Sequence, residues 1–66
     1  MALTPRDRKA EMIRRGKTPG KIAESCRVSR SLVSMVLHDD RRNARVERAI
    51  ARAIGRKVDE VFEVRR

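Results

Sequence analysis

The chain has 66 residues, with 18 Lys and Arg against 9 Asp and Glu, so its net charge is +9 and its pI about 11.5. A chain this short buries only about 60% of the surface that its unfolded form exposes, so we expect one domain over residues 1–66, with no catalytic cleft and no enzyme activity. The positive charge suits nucleic acid, an anionic membrane surface or a disordered cationic tail, and the order of the apolar residues must decide among them.

Groups that could serve catalysis or metal binding are sparse in the sequence. The single histidine, His38, has no second histidine and no cysteine at ligand spacing, and no nucleophile-base pair or phosphate loop is present. The single cysteine cannot form an internal disulfide, which fits a reducing cytoplasm. Apolar runs such as residues 35–37 are far shorter than the roughly twenty residues that cross a bilayer. We expect no cofactor, no metal and no membrane span.

The first predicted helix covers residues 5–15. Thr4, Pro5 and Asp7 are typical of a helix start, because Thr4 can cap the helix and proline suits the first turn, and Gly16 is typical of a helix end. The apolar stripe of this helix consists of Ala10, Met12 and Ile13.

The second predicted helix covers residues 19–26. Thr18 and Pro19 repeat the start signal, and Arg27-Val28 ends the helix. One side of the helix carries Ile22, Ala23 and Cys26. Because this side faces inward, we expect the cysteine to pack in the core and not to act as a redox sensor.

The third predicted helix covers residues 30–38 and has Ser29 as its cap. At about 100° per residue, one half of the helix is apolar, with Leu32, Val33, Val36 and Leu37. The other half holds short polar groups, one arginine and one methionine, namely Arg30, Ser31, Ser34, Met35 and His38. A merely solvated face usually carries Glu and Lys, whereas these side chains suit close approach to base edges.

A polar connection over residues 39–42 leads to a fourth predicted helix over 44–54, capped by Asn43 and ended by Gly55. In the connection, Asp39-Asp40 either turns the chain or orients Arg41 and Arg42. The apolar residues of the fourth helix follow one face and complete the core: Val46, Ala49, Ile50, Ala53 and Ile54.

The last segment has two possible structures. Val58, Val61 and Phe62 suit a short helix over residues 58–62 that packs on the core. Partial alternation over residues 61–65 leaves open a short strand that pairs across a dimer.

Residues 22–37 resemble the helix-turn-helix of lambda-repressor-like domains. Ala23 matches the small residue of the second helix, and Val28 matches the apolar residue of the turn. The inward residues of the third helix are matched by Val33 and Val36. An alanine has no bulk beyond Cβ, so the two helices can cross closely while the second projects outward.

Residues 48–62 are similar to the last two helices of the small Ner-type regulators of transposable phages, and together the likeness covers residues 4–62. It implies an all-α, compact domain of four to five helices. Arg27 stands where the family often has a glycine in a left-handed conformation, which implies strain or an altered turn. Pro19 stands where many relatives have a phosphate-binding glutamine, and that task would pass to Lys17, Thr18 and Lys21.

The resemblance implies that the third helix reads base edges in the major groove of DNA. The base-reading candidates are Arg30, Ser31, Ser34 and Met35. Arg30 is the first of these, because a guanidinium can donate two hydrogen bonds to guanine, worth about 1–3 kcal/mol of discrimination. The candidates for the DNA backbone are Lys17, Thr18, Lys21, Ser29, His38, Arg41, Arg42 and Arg45.

The expected function is sequence-specific binding of double-stranded DNA by a transcription regulator, a phage or mobile-element repressor that acts by covering a promoter. One such domain reads few base pairs, so we expect a homodimer on an inverted-repeat operator. The dimer contacts would come from residues 44–52, from residues 61–66, or form only on DNA.

The main alternative is an excisionase-like or architectural factor that bends DNA, which gel mobility of permuted fragments would detect. More remote alternatives are a cationic membrane-active or protein-interaction module and an RNA-binding module. A membrane peptide would have a broad apolar face with a basic edge, and stronger binding to liposomes than to duplex DNA would favour it. One Phe, with no Tyr or Trp, offers no stacking platform for single-stranded RNA.

Overall fold

Five α-helices follow one another in the computed structural model, which describes residues 2–62, and no strand occurs within that span. Their bounds are α1 (Pro5–Arg14), α2 (Pro19–Cys26), α3 (Arg30–Leu37), α4 (Ala44–Ala53) and α5 (Val58–Val61). The predicted all-α fold is confirmed, and the predicted helices match within one residue at each end. Residues 63–65 of the proposed strand lie outside the described residues. No helix in the described span is long and apolar enough to cross a bilayer.

The first four helices begin at the predicted caps. In each case, a side-chain oxygen accepts a hydrogen bond from the backbone N–H three residues further on, at 3.1–3.2 Å. The capping residues are Thr4, Thr18, Ser29 and Asn43. Each satisfies one of the backbone donors that a helix start leaves unpaired, and this explains why the sequence located these starts so closely.

The same four helices end in one motif. A residue with positive φ follows each helix, and the next N–H donates back to a carbonyl five residues earlier, at 2.8–3.0 Å. The positive-φ residues are Gly16, Arg27, Asp39 and Gly55. Arg27 has φ 57° and ψ 46°, so the left-handed turn expected from the resemblance is present with an arginine in the glycine position. A side chain with a Cβ pays for this conformation in backbone strain.

Replacing Arg27 with Gly is therefore expected to raise the free energy of unfolding by about 0.5–1 kcal/mol, because glycine adopts the left-handed conformation without the Cβ clash. Urea denaturation followed by circular dichroism measures the change. Arg27→Ala is the control, since it removes the same exposed side chain and keeps the Cβ. A glycine variant no more stable than the alanine variant would contradict the strain.

The core lies where α2 packs against α3 and α4, and α5 closes it. The predicted inward residues Ile22, Ala23 and Cys26 are buried, as are the central residues of α3 and α4 and the pair Val61 and Phe62. The predicted stripe of α1 is wrong in part. Met12 is buried, but Ala10 is exposed and Ile13 is 66% exposed.

The residue that anchors α1 is instead Arg8, which is only 2% exposed. Its Nε donates to the carbonyl of Val61 at 2.8 Å, and its Nη1 donates to the carbonyl of Leu37 at 2.7 Å. The Cζ atom lies 4.3 Å from the centre of the Phe62 ring. One guanidinium thus joins the first helix to the last residues of α3 and α5, where helices have unpaired carbonyls.

Asp39 also has a different role from one of those predicted. It does turn the chain, since its φ is 63°, but its carboxylate pairs with Arg8 Nη1 at 3.0 Å and does not orient the next arginines. Arg42 is held by Glu47 instead, with 3.3 Å between Nε and Oε2. The buried Glu47 also accepts the N–H of Asn43 at 3.1 Å, and this adds to the cap of α4.

Candidate nucleic-acid interface

Helices α2 and α3 pack against each other and are joined by a tight turn over residues 27–29. The N–H of Val28 donates to the carbonyl of Ala23 at 3.0 Å, and the half-buried Val28 side chain packs on the core. Ala23 itself is 4% exposed, which agrees with its expected place in a close helix contact. The local chemistry therefore produces a helix-turn-helix in which the second helix starts at a fixed position.

The two sides of α3 differ as the sequence predicts. Val33, Val36 and Leu37 are buried and Leu32 is half-buried, so this side holds the helix to the core. On the opposite side, Arg30, Ser31, Ser34 and His38 are exposed and Met35 is half-buried. No acidic residue lies on α3, so its outer face offers hydroxyl donors and one cation to a ligand. The base-reading role of these residues remains a prediction.

The side chain of Arg30, at the start of α3, reaches the first turn of α2. A Cβ built on Gly20 would be 3.5 Å from Arg30 Nε and 3.8 Å from Thr18 Oγ1, so Arg30 lies over the first turn of α2. Thr18 and Ser29 use their oxygens as helix caps, and each hydroxyl still has a proton to donate. The positive start of α2 and the side chain of Arg30 together favour a phosphate or a base acceptor.

The other predicted backbone ligands fall into three groups. His38 is exposed at the C-cap of α3, directly after Leu37. Arg41 is exposed in the connection that follows. Arg42 forms an ion pair and a hydrogen bond with Glu47, so its guanidinium group is less available to bind a phosphate. The remaining three cations, Lys17, Lys21 and Arg45, lie along a groove between α2 and α4.

This groove is the feature that the sequence reasoning missed. It has a volume of about 780 Å³ and a concentration of cations along its sides, and we call it the basic groove. Its cations are Lys17, Lys21, Arg45, Arg48, Arg52, Arg56 and Lys57. No carboxylate lines it within the described residues. The signal was present in the sequence, because positions 45, 48 and 52 fall on one stripe of a helix.

The described residues provide no site for a metal ion, since nowhere in residues 2–62 do three His, Cys, Asp or Glu side chains come together. Cys26 is a buried free thiol at the floor of the basic groove, in the core position that the sequence predicts.

The packed α2 and α3, with the polar face of α3 turned outward, define a helix-turn-helix DNA-binding protein. A family model described as winged helix-turn-helix DNA-binding matches residues 3–65, so the chain belongs to the winged helix-turn-helix DNA-binding family. No curated protein and no solved structure matched the chain. Within residues 2–62 the protein has the helix-turn-helix and no strand that could form a wing.

Proposed function

We propose that this protein is a sequence-specific transcription regulator that binds double-stranded DNA with α3 in the major groove. The observation that carries the proposal is the outer face of α3, where Arg30, Ser31 and Ser34 are exposed with no acidic neighbour on the helix. Membership of a DNA-binding family supports DNA binding, and the side chains on this face are of kinds that can discriminate bases. The proposed activity is binding, without catalysis.

Each side chain on this face has a distinct task in the proposal. Arg30 reads guanine through two parallel hydrogen bonds, and Met35 contacts a thymine methyl group or a sugar edge. Ser31 and Ser34 donate or accept, so they adjust the preference without dictating it. In the proposal, seven residues hold the phosphate backbone on the two sides of the major groove of DNA: Lys17, Thr18, Lys21, Ser29, His38, Arg41 and Arg45.

The proposed biological role is repression by promoter occupancy in a phage or mobile element. It rests on the resemblance to lambda-repressor-like domains and Ner-type regulators over residues 4–62. Because one helix-turn-helix reads few base pairs, we propose a homodimer on an inverted-repeat operator. The outer surface of residues 44–52 is a poor dimer contact, because two copies meeting there would oppose rows of arginine.

The proposal is tested by selecting binding sites from a random duplex pool with the wild-type protein and with Arg30→Ala. We expect the wild type to enrich one motif, and the variant to lose preference at one base position, a change of about 5–150-fold between bases for 1–3 kcal/mol. Arg6→Ala is the matched control, since Arg6 is exposed at the start of α1 and lies outside α2 and α3.

Two results would contradict this assignment. Absence of any enriched motif with the wild-type protein would refute sequence-specific binding. Equal weakening by Arg30→Ala on every sequence would make Arg30 a phosphate ligand, which its position over the start of α2 also permits.

A further inference from the structure

The basic groove lies on a different part of the surface from the outer face of α3. None of the α3 residues lines it, and its two sides come from α2 and α4. Arg45, Arg48 and Arg52 form one side as a stripe at spacings of three and four residues along α4. Lys17 and Lys21 form the other side at the start of α2.

Charge in the basic groove is little compensated by acids. Arg56 pairs with Glu11 at a distance of 3.9 Å, which is a weak contact on an exposed side chain. Within residues 2–62, Arg45, Arg48 and Arg52 make no ion pair within 4.0 Å of a carboxylate. Cations kept this close repel one another in the free protein, so a polyanion that enters the groove relieves their repulsion as well as neutralising them.

The shape and lining of the basic groove favour a phosphate backbone over an acidic protein segment. Protein interfaces have centres that are depleted of charge, whereas half of the residues that line this groove are Lys or Arg. Apart from the exposed Ser25, its other lining residues are buried or half-buried apolar residues such as Cys26 and Ala53. The stripe from Arg45 to Arg52 is about 10 Å long at 1.5 Å per residue. One DNA strand advances about 3.4 Å along the helix axis per phosphate, and because the strand winds around the axis its neighbouring phosphates are farther apart than this, so the stripe matches about two phosphates.

The position of the groove indicates which DNA it would meet. Lys17 and Lys21 flank the first turn of α2, and Arg30 at the start of α3 lies over Gly20 in that same turn. A duplex whose bases meet α3 therefore comes close to the start of α2, where Lys17 and Lys21 line the basic groove.

We infer that the basic groove binds the phosphate backbone of the DNA that flanks the base pairs read by α3. This inference rests on the proposed function. It gives the protein a second, sequence-independent contact, through which flanking DNA adds affinity without adding base preference.

The test compares two duplexes that share the selected site, one trimmed to it and one extended by about ten base pairs, one helical turn, on each side. The affinity for each duplex is measured at several salt concentrations for three proteins. They are the wild type, a groove variant that combines Arg48→Gln with Arg52→Gln, and a control variant that combines Arg6→Gln with Lys9→Gln. All four positions are exposed, and both double variants lose two positive charges. Circular dichroism checks that each variant is folded.

We expect the wild type to bind the extended duplex more tightly and with a steeper salt dependence. The groove variant loses this gain, and its slope of log affinity against log salt falls by about 2, at 0.9 per phosphate contact. Its affinity for the trimmed duplex and its selected motif stay as in the wild type. The control variant keeps the gain from the extended duplex.

Equal behaviour of the groove variant and the control on both duplexes would overturn the inference. So would an equal loss on the trimmed and extended duplexes, because the groove would then contact the read base pairs and not their flanks. A wild-type protein that selects no motif would refute the proposed function and the inference together, and the selection experiment reveals that outcome separately.

Discussion

Arg8→Met is expected to lower the free energy of unfolding by about 3–5 kcal/mol, because it leaves two buried backbone carbonyls without their donor. The carbonyls of Leu37 and Val61 each lose a hydrogen bond of 2.7–2.8 Å, and an unsatisfied buried acceptor costs about 1–3 kcal/mol. The contact with the Phe62 ring is lost as well. A domain of this size has a total stability of about 3–10 kcal/mol, so the substitution is expected to remove a large part of it.

Urea denaturation followed by circular dichroism measures this loss. Arg6→Met is the matched control, because Arg6 is exposed two residues earlier on the same helix, and it should change stability by less than about 0.5 kcal/mol. Arg8→Met as stable as Arg6→Met would show that the buried guanidinium does not hold the helix ends together.

The partners of Arg8 should contribute unequally. Asp39 is 47% exposed on its side chain, so its ion pair is screened by water, and Asp39→Asn should cost less than about 1 kcal/mol. The two carbonyls are buried by the fold and can turn to no other donor among the described contacts. We therefore expect the hydrogen bonds to the two backbone carbonyls to contribute more to the free energy of unfolding than the ion pair with Asp39 does.

Local signals in the sequence were sufficient for the helices of this protein. Thr4, Thr18, Ser29 and Asn43 are found as caps because capping depends on only four consecutive residues. The burial of one side of α3 was predictable for the same reason, since a spacing of three and four residues decides it. The left-handed conformation of Arg27 was expected only from the resemblance to lambda-repressor-like domains, which often have a glycine at this position.

Features that depend on residues far apart in the chain could not be found in this way. Arg8 meets partners 29 and 53 residues away, and an arginine in an amphipathic helix is normally an exposed residue. The inward assignment of Ile13 failed for the same reason, because α1 uses Arg8 and Met12 for its contacts and turns Ile13 to solvent. The basic groove needed the relative placement of α2 and α4, which no local pattern contains.

Ser34→Glu is expected to weaken binding to the selected duplex by at least about 100-fold while leaving the protein folded. Ser34 is exposed in the middle of α3, so a glutamate there fits without disturbing the core and should change stability by less than about 0.5 kcal/mol. In the major groove the same carboxylate would meet phosphates and base acceptors. Like charges placed together across an interface cost several kcal/mol, and 2.7 kcal/mol corresponds to 100-fold.

Ala10→Glu separates this local effect from the change in net charge. Ala10 is exposed on α1, outside the helix-turn-helix, and its substitution also makes the net charge more negative by one. We expect that variant to bind within about threefold of the wild type at 0.15 M salt, where charges more than about 8 Å apart are largely screened. Equal losses for the two glutamate variants, measured by fluorescence anisotropy, would mean that overall charge governs binding and that the outer face of α3 is not the contact surface. A loss confined to Ser34→Glu would place the centre of α3 against DNA, because only direct contact makes one exposed carboxylate so much more harmful than another.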